Sequence, residues 1–97
     1  MAGYLIANYR VTNAEAYAVY PQAVVPTLLA HGGEILVADY ESEIVESEAS
    51  SVTVVVKFPS KESARAWYDS HEYQEILHSR LDNTEGFLLF ADEFKMP

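Results

Sequence analysis

Two segments, SVTVVVKF (residues 51 to 58) and GFLLFADEF (residues 86 to 94), constrain the fold most, because each is apolar on both of its faces. Successive side chains of a strand point to opposite sides of the sheet. The first segment therefore sets Val52, Val54, Val56 and Phe58 against Val55, and the second sets Phe87, Leu89 and Ala91 against Leu88 and Phe90. An antiparallel sheet with helices on one face and water on the other alternates apolar and polar residues. This one calls for cover on both faces. Burying one Val, Leu or Phe is worth about 1.5 to 3 kcal/mol, so five or six left wet would forgo roughly 10 kcal/mol, the scale of a whole domain's stability. A second copy packed sheet to sheet about a two-fold axis is the simplest cover, and a homodimer is expected.

The rest of the chain supplies the elements that such a sheet needs. GYLIANYRV, residues 3 to 11, reads as a strand, with Leu5, Ala7 and Tyr9 alternating with Tyr4, Ile6 and Asn8. TNAE follows, with Thr12 as an N-cap and Glu15 three positions on in the capping-box pattern. The helix it starts has an apolar face of Tyr17, Tyr20 or Pro21, Val24 and Leu28, and ends at His31 before Gly32 and Gly33. Pro21 and Pro26 each lack a backbone donor, which predicts a kink or break between them. EILVADY is a second strand. A reversal with a short extra strand at Ile44 and Val45 leads to the third, SVTVVVKF. Ser60 caps another helix, with Glu62 in its first turn, and Ser70 is placed to cap a restart. GFLLFADEF closes the series. The order is βαββαβ: an α+β, ferredoxin-like single domain spanning residues 1–97 with a four-stranded antiparallel sheet.

Six basic residues against fifteen acidic ones give a formal charge of −9, which repels a phosphate backbone, so nucleic acid is not an expected partner. The acids concentrate in DYESEIVESE, where Asp39, Glu41, Glu43, Glu46 and Glu48 have no base between them; a solvated hairpin tip accounts for them, and no calcium-loop glycine interrupts them. The absence of cysteine excludes disulfides and thiol chemistry. Met1 is not followed by a basic segment and an apolar run, and no apolar run approaches the ~20 residues of a membrane span. A cytoplasmic protein with no membrane contact is the expectation.

Candidate chemistry concentrates in ARAWYDSHEYQEILHSR, residues 64 to 80. Tyr73, Ile76, Leu77, Arg80 and Leu81 share one helical face, so Arg80 stands at the edge of an apolar stripe. It serves there either a salt bridge to one of the many carboxylates or a clamp on an anionic ligand. His71, Glu75 and His78 fall at i, i+4 and i+7, a spacing that an exposed polar stripe explains better than a metal site. No nucleophile with a base, phosphate loop or spaced carboxylate pair is present, and the residues call for no cofactor.

The initial GY, the Tyr17 and Tyr20 pair, the glycines at 32 and 33 and above all FPSKESARAWYDSHEYQEILHSR make the chain resemble the dimeric α/β-barrel family catalogued as domain of unknown function 1330. His71 stands where that family often has proline, and VESEASS replaces a glycine-containing turn. The resemblance implies the fold and the dimer. Its wider superfamily includes cofactor-independent monooxygenases, a lactone isomerase and haem enzymes. Asn8, Trp67 and His78 are similar to the Asn, Trp and His set of the haem-degrading members, with one extra residue between Trp and His.

The expected function is a homodimer that binds a small aromatic or apolar molecule with an acidic or polar handle. Asn8, Tyr17, Trp67, Tyr68 and Tyr73 would line the pocket, and Arg80 or His78 would engage the handle. As an enzyme it would be a cofactor-independent monooxygenase or isomerase with His78 as general base. The alternatives are a non-catalytic binding or regulatory module and a haem-degrading protein.

Overall fold

The computed structural model describes residues 1–96. The elements are β1 (Gly3–Val11), α1 (Ala14–Tyr17), α2 (Val19–Ala30), β2 (Glu34–Asp39), β3 (Val52–Phe58), α3 (Lys61–Asp69), α4 (His71–Leu81) and β4 (Thr84–Asp92). They form one four-stranded sheet in the order β2-β3-β1-β4, with every neighbouring pair antiparallel. This is the ferredoxin-like arrangement, with the helices layered on one face of the sheet.

The local signals for the second helical pair act as the sequence indicates. Ser60 Oγ accepts from the Ser63 N–H at 3.0 Å, and Ser70 Oγ accepts from the Tyr73 N–H at 3.3 Å, so the chain turns once between α3 and α4. The first pair departs from expectation. Its cap is Asn13, whose Oδ1 accepts from the Ala16 N–H at 3.1 Å, because the Thr12 N–H is drawn to the Asn83 carbonyl at 2.8 Å where β1 meets the start of β4. The helix breaks at Ala18, ahead of both prolines. Pro21 then falls in the first turn of α2, where a missing N–H costs nothing, and Pro26 alone is interior. His31 ends α2, with Gly32 at φ +76° beyond it. Ile44 and Val45 lie in the loop between β2 and β3 and form no extra strand.

The helix-facing side of the sheet carries Leu5, Ala7, Tyr9, Val52, Val56 and Phe58, all buried against Tyr17, Tyr20, Leu28, Ala64, Trp67, Tyr73 and Leu77. Gly3 lets α3 approach, since a Cβ there would lie 2.4 Å from the Lys61 nitrogen. The opposite face presents Tyr4, Ile6 and Val55 half-buried, with Phe87 50% and Leu89 44% exposed. Every residue of β2 is exposed, although Ile35, Leu36 and Val37 are apolar. The Cα envelope measures 42 × 36 × 16 Å, the thickness of one sheet and one helix layer. Among the described residues no helix is long and apolar enough to cross a membrane.

Candidate functional site: an apolar chamber with a buried arginine

Between α2 and the sheet lies a chamber of about 140 Å³. That is close to the ~150 Å³ of an apolar cavity that accommodates benzene. Leu5, Ala7, Val54 and Val56 form its floor, Val24 and Leu28 its roof, and Val25, Ile35 and Tyr40 stand at its more exposed edge. The strands supply the floor through their period of two: Leu5 and Ala7 pair across the ladder with Val56 and Val54.

Polar side chains reach the lining from Tyr9, Tyr17, Tyr20, Tyr40 and Arg80. Three of the tyrosines form a line: Tyr9 Oη meets Tyr17 Oη at 2.6 Å, and Tyr17 Oη meets Tyr40 Oη at 2.7 Å. The line runs from the core to the surface, where Tyr40 is 44% exposed. A second set joins Tyr20 Oη to Tyr73 Oη at 2.7 Å, and Arg80 Nε donates to Tyr73 Oη at 3.3 Å. Trp67, also in the lining, directs its indole N–H to Thr27 Oγ1 at 3.0 Å, leaving its ring for packing.

Arg80 is 5% exposed. The ion pairs of the described residues are Arg10 with Glu85, Lys61 with Asp92, Arg65 with Asp69 and His71 with Glu75, and none involves Arg80. The salt bridge weighed from the sequence does not form. Burial by itself opposes the Arg80 charge, but the Tyr73, Tyr20 and Tyr68 hydroxyls around it hold the guanidinium above its ordinary pKa. Burial pushes the Tyr9 hydroxyl up to about 12 against the Tyr17 hydrogen bond, and raises Tyr17 and Tyr20 further. These hydroxyls are neutral donors at physiological pH.

Those raised values predict an alkaline limit. The unfolded tyrosines ionise near pH 10, while Tyr9 in the folded chain holds its proton to about 12. Its contribution to stability is complete below pH ~10 and is lost as pH rises through the folded value. Absorbance at 295 nm should show the buried tyrosines ionising only together with loss of tertiary circular dichroism above that pH. Smooth titration of all seven tyrosines near pH 10 in a folded protein would contradict it.

The expected site residues divide. Tyr17, Trp67 and Arg80 line the chamber, and Tyr73 stands behind it as a hydrogen-bond partner. Tyr68 belongs to a separate groove on the β4 side. Asn8 is turned to the other face of the sheet, where its amide fastens the base of the acidic loop: Nδ2 donates to the Ser50 carbonyl at 2.9 Å and the Ser50 N–H donates to Oδ1 at 2.8 Å. His78 is exposed on α4, outside both spaces, because the helical face that buries Tyr73, Leu77 and Arg80 leaves it outward. Asn8, Trp67 and His78 therefore share no cavity. His71 Nε2 and Glu75 Oε1 meet at 2.6 Å on the surface, and no group of three metal-ligating side chains occurs among the described residues. The sequence does not single out Tyr9 or Tyr40: the one reads as a member of an apolar strand face, the other as part of an acidic run.

Sheet order, helix layer and arginine-bearing chamber define a ferredoxin-like α+β protein with a partly open, ligand-sized space. The chain belongs to the family described as Domain of unknown function (DUF1330), which matches residues 2–94. The chain is similar in structure to RPA0582, a protein of unknown function from Rhodopseudomonas palustris, with a TM-score of 0.77 and 16% identity over 98% of this chain and 84% of that one. The methylated form of RPA0582 gives a TM-score of 0.80 at 17% identity, covering 97% and 82%. HapK from Hahella chejuensis gives 0.63 at 10% identity, covering 98% and 95%. At these identities the likeness concerns the fold. No curated protein matches the chain.

Proposed function

We propose that the protein is a cytoplasmic homodimer whose chamber binds a small aromatic or apolar molecule carrying an anionic group, with Arg80 as the charge partner. The observation that carries this reading is an arginine, 5% exposed as a whole residue, that lines a largely apolar chamber and meets no carboxylate. A buried charge costs several kcal/mol unless it is paired. A chain with fifteen acids has partners to spare, so leaving Arg80 unpaired suits a ligand and not the fold. Calorimetric titration with benzoate is the test. A Kd of about 1 mM or tighter is expected, with a rise in Tm that follows ln(1 + [L]/Kd). A silent titration removes this reading.

The hydroxyl line favours isomerisation over oxygenation as the chemistry of such a site. Along Tyr9, Tyr17 and Tyr40 a proton can pass between ligand and water, each oxygen releasing one hydrogen and taking another, while Arg80 holds an oxyanion. In heavy water the protein should accelerate deuterium incorporation beside the carbonyl of phenylpyruvate, with Tyr17→Phe slowing it about tenfold or more. Exchange at the same rate in the variant would leave a binding module without proton transfer.

A further inference from the structure

Arg80 and Leu88 face two spaces, since both line the chamber and both line a groove bounded by α3, α4 and the outer strand β4, about 550 Å³ in the single chain, whose lining also includes Phe87 and Leu89 of the face that the proposed dimer covers. Resting on the Arg80 reading above, we infer that chamber and groove are one bipartite site for a dianionic acid. Its apolar end fills the chamber, its first carboxylate meets Arg80, and its second anionic group lies in the groove against Arg65.

Charge distribution supports the outer half. Of six basic residues in a chain of net charge −9, Arg65 and Arg80 both border this groove, and no carboxylate side chain is among its lining residues. Arg65 is held for the role: its guanidinium carbon lies 5.5 Å from the centre of the Tyr68 ring, and its Nε donates to Asp69 at 3.1 Å. A guanidinium has five N–H donors in a planar fork, so the Nη edge stays available.

The other approach to the chamber is hostile to an anion. Tyr40 at its edge stands between Asp39 and Glu41, and the loop beyond adds Glu43, Glu46 and Glu48. A dianion is repelled there, whereas the groove offers two guanidinium groups and no lining carboxylate, with Arg65 paired only at its Nε edge to Asp69. β4 is also the last strand of the sheet and pairs with β1 alone, so its outward backbone N–H groups are free to contribute donors.

The experiment compares phenylacetate with phenylsuccinate, which adds one methylene and a second carboxylate, by calorimetric titration of the whole protein at neutral pH and low salt. Phenylsuccinate should bind about three- to tenfold more tightly, the gain of a partly exposed charge pair. Arg65→Gln should erase that advantage and leave phenylacetate affinity unchanged. Equal affinity for the two acids, or an advantage that survives Arg65→Gln, overturns the bipartite site while the single-anion reading stands. Binding of neither acid overturns both.

Discussion

Arg80→Met should abolish benzoate binding and, at equal protein concentration, raise the temperature of unfolding. The two effects have one cause. In the unliganded protein this largely buried residue gives its guanidinium one protein hydrogen bond, to Tyr73, and no carboxylate. Methionine retains most of the aliphatic stem and fills irregular space without a charge. Tyr73 is not orphaned by the change, because its hydroxyl still meets Tyr20 at 2.7 Å. Replacing a buried ion pair by apolar volume is often neutral or stabilising by about 1 to 4 kcal/mol, and a gain of about 1 kcal/mol here registers in a domain of this size as a shift of roughly 4 to 8 °C. For the ligand the sign reverses, since a buried carboxylate stripped of its partner loses about 3 kcal/mol or more, a hundredfold or greater fall in affinity. Arg80→Met that unfolds at lower temperature and still binds benzoate would show that Arg80 is a packing residue.

The path from sequence to structure was clearest where a signal is local and has no competitor. Ser60 and Ser70 cap helices because each stands directly before a helical run and its hydroxyl oxygen accepts from the first turn, even while the Ser70 hydroxyl donates back to the Trp67 carbonyl. Thr12 and Glu15 carry an equally good pattern, but the Thr12 backbone is claimed by Asn83, a residue distant in sequence, and the cap moves to Asn13. The site shows the same division. Arg80 on the face of Tyr73 and Leu77 follows from helical spacing. The hydroxyl line does not, because Tyr9 and Tyr17 come from β1 and α1 and Tyr40 from the residue after β2, and they meet only when the sheet is assembled. Asn8 was legible as a polar residue in an apolar strand, but its direction depends on which face the helices cover, and that face is chosen by Leu5, Ala7 and Tyr9.

Leu89→Glu should convert the proposed homodimer into a monomer that keeps its fold. Leu89 projects from the sheet face that no helix covers, beside Phe87 and across the ladder from Ile6. Its loss leaves the helix-side core of Leu5, Val56 and Trp67 intact. A single apolar side chain on that face gains about 1.5 to 3 kcal/mol when buried against a partner. A glutamate in its place forfeits that gain and brings an unpaired charge into the contact, and because a two-fold axis repeats every change, each dimer suffers both costs twice. The net charge of −9 per chain adds repulsion of the same sign. Sedimentation at micromolar concentration should find twice 10.9 kDa for the unaltered protein and 10.9 kDa for the variant, with the same far-ultraviolet circular dichroism. Leu29→Glu is the control: Leu29 is 63% exposed on α2, in the helix layer, so an equal charge there should leave the dimer unchanged. A monomeric unaltered protein, or a Leu89→Glu variant that still sediments as a dimer, would mean that the bare sheet face is stable in water and that face-to-face pairing is not how this chain assembles.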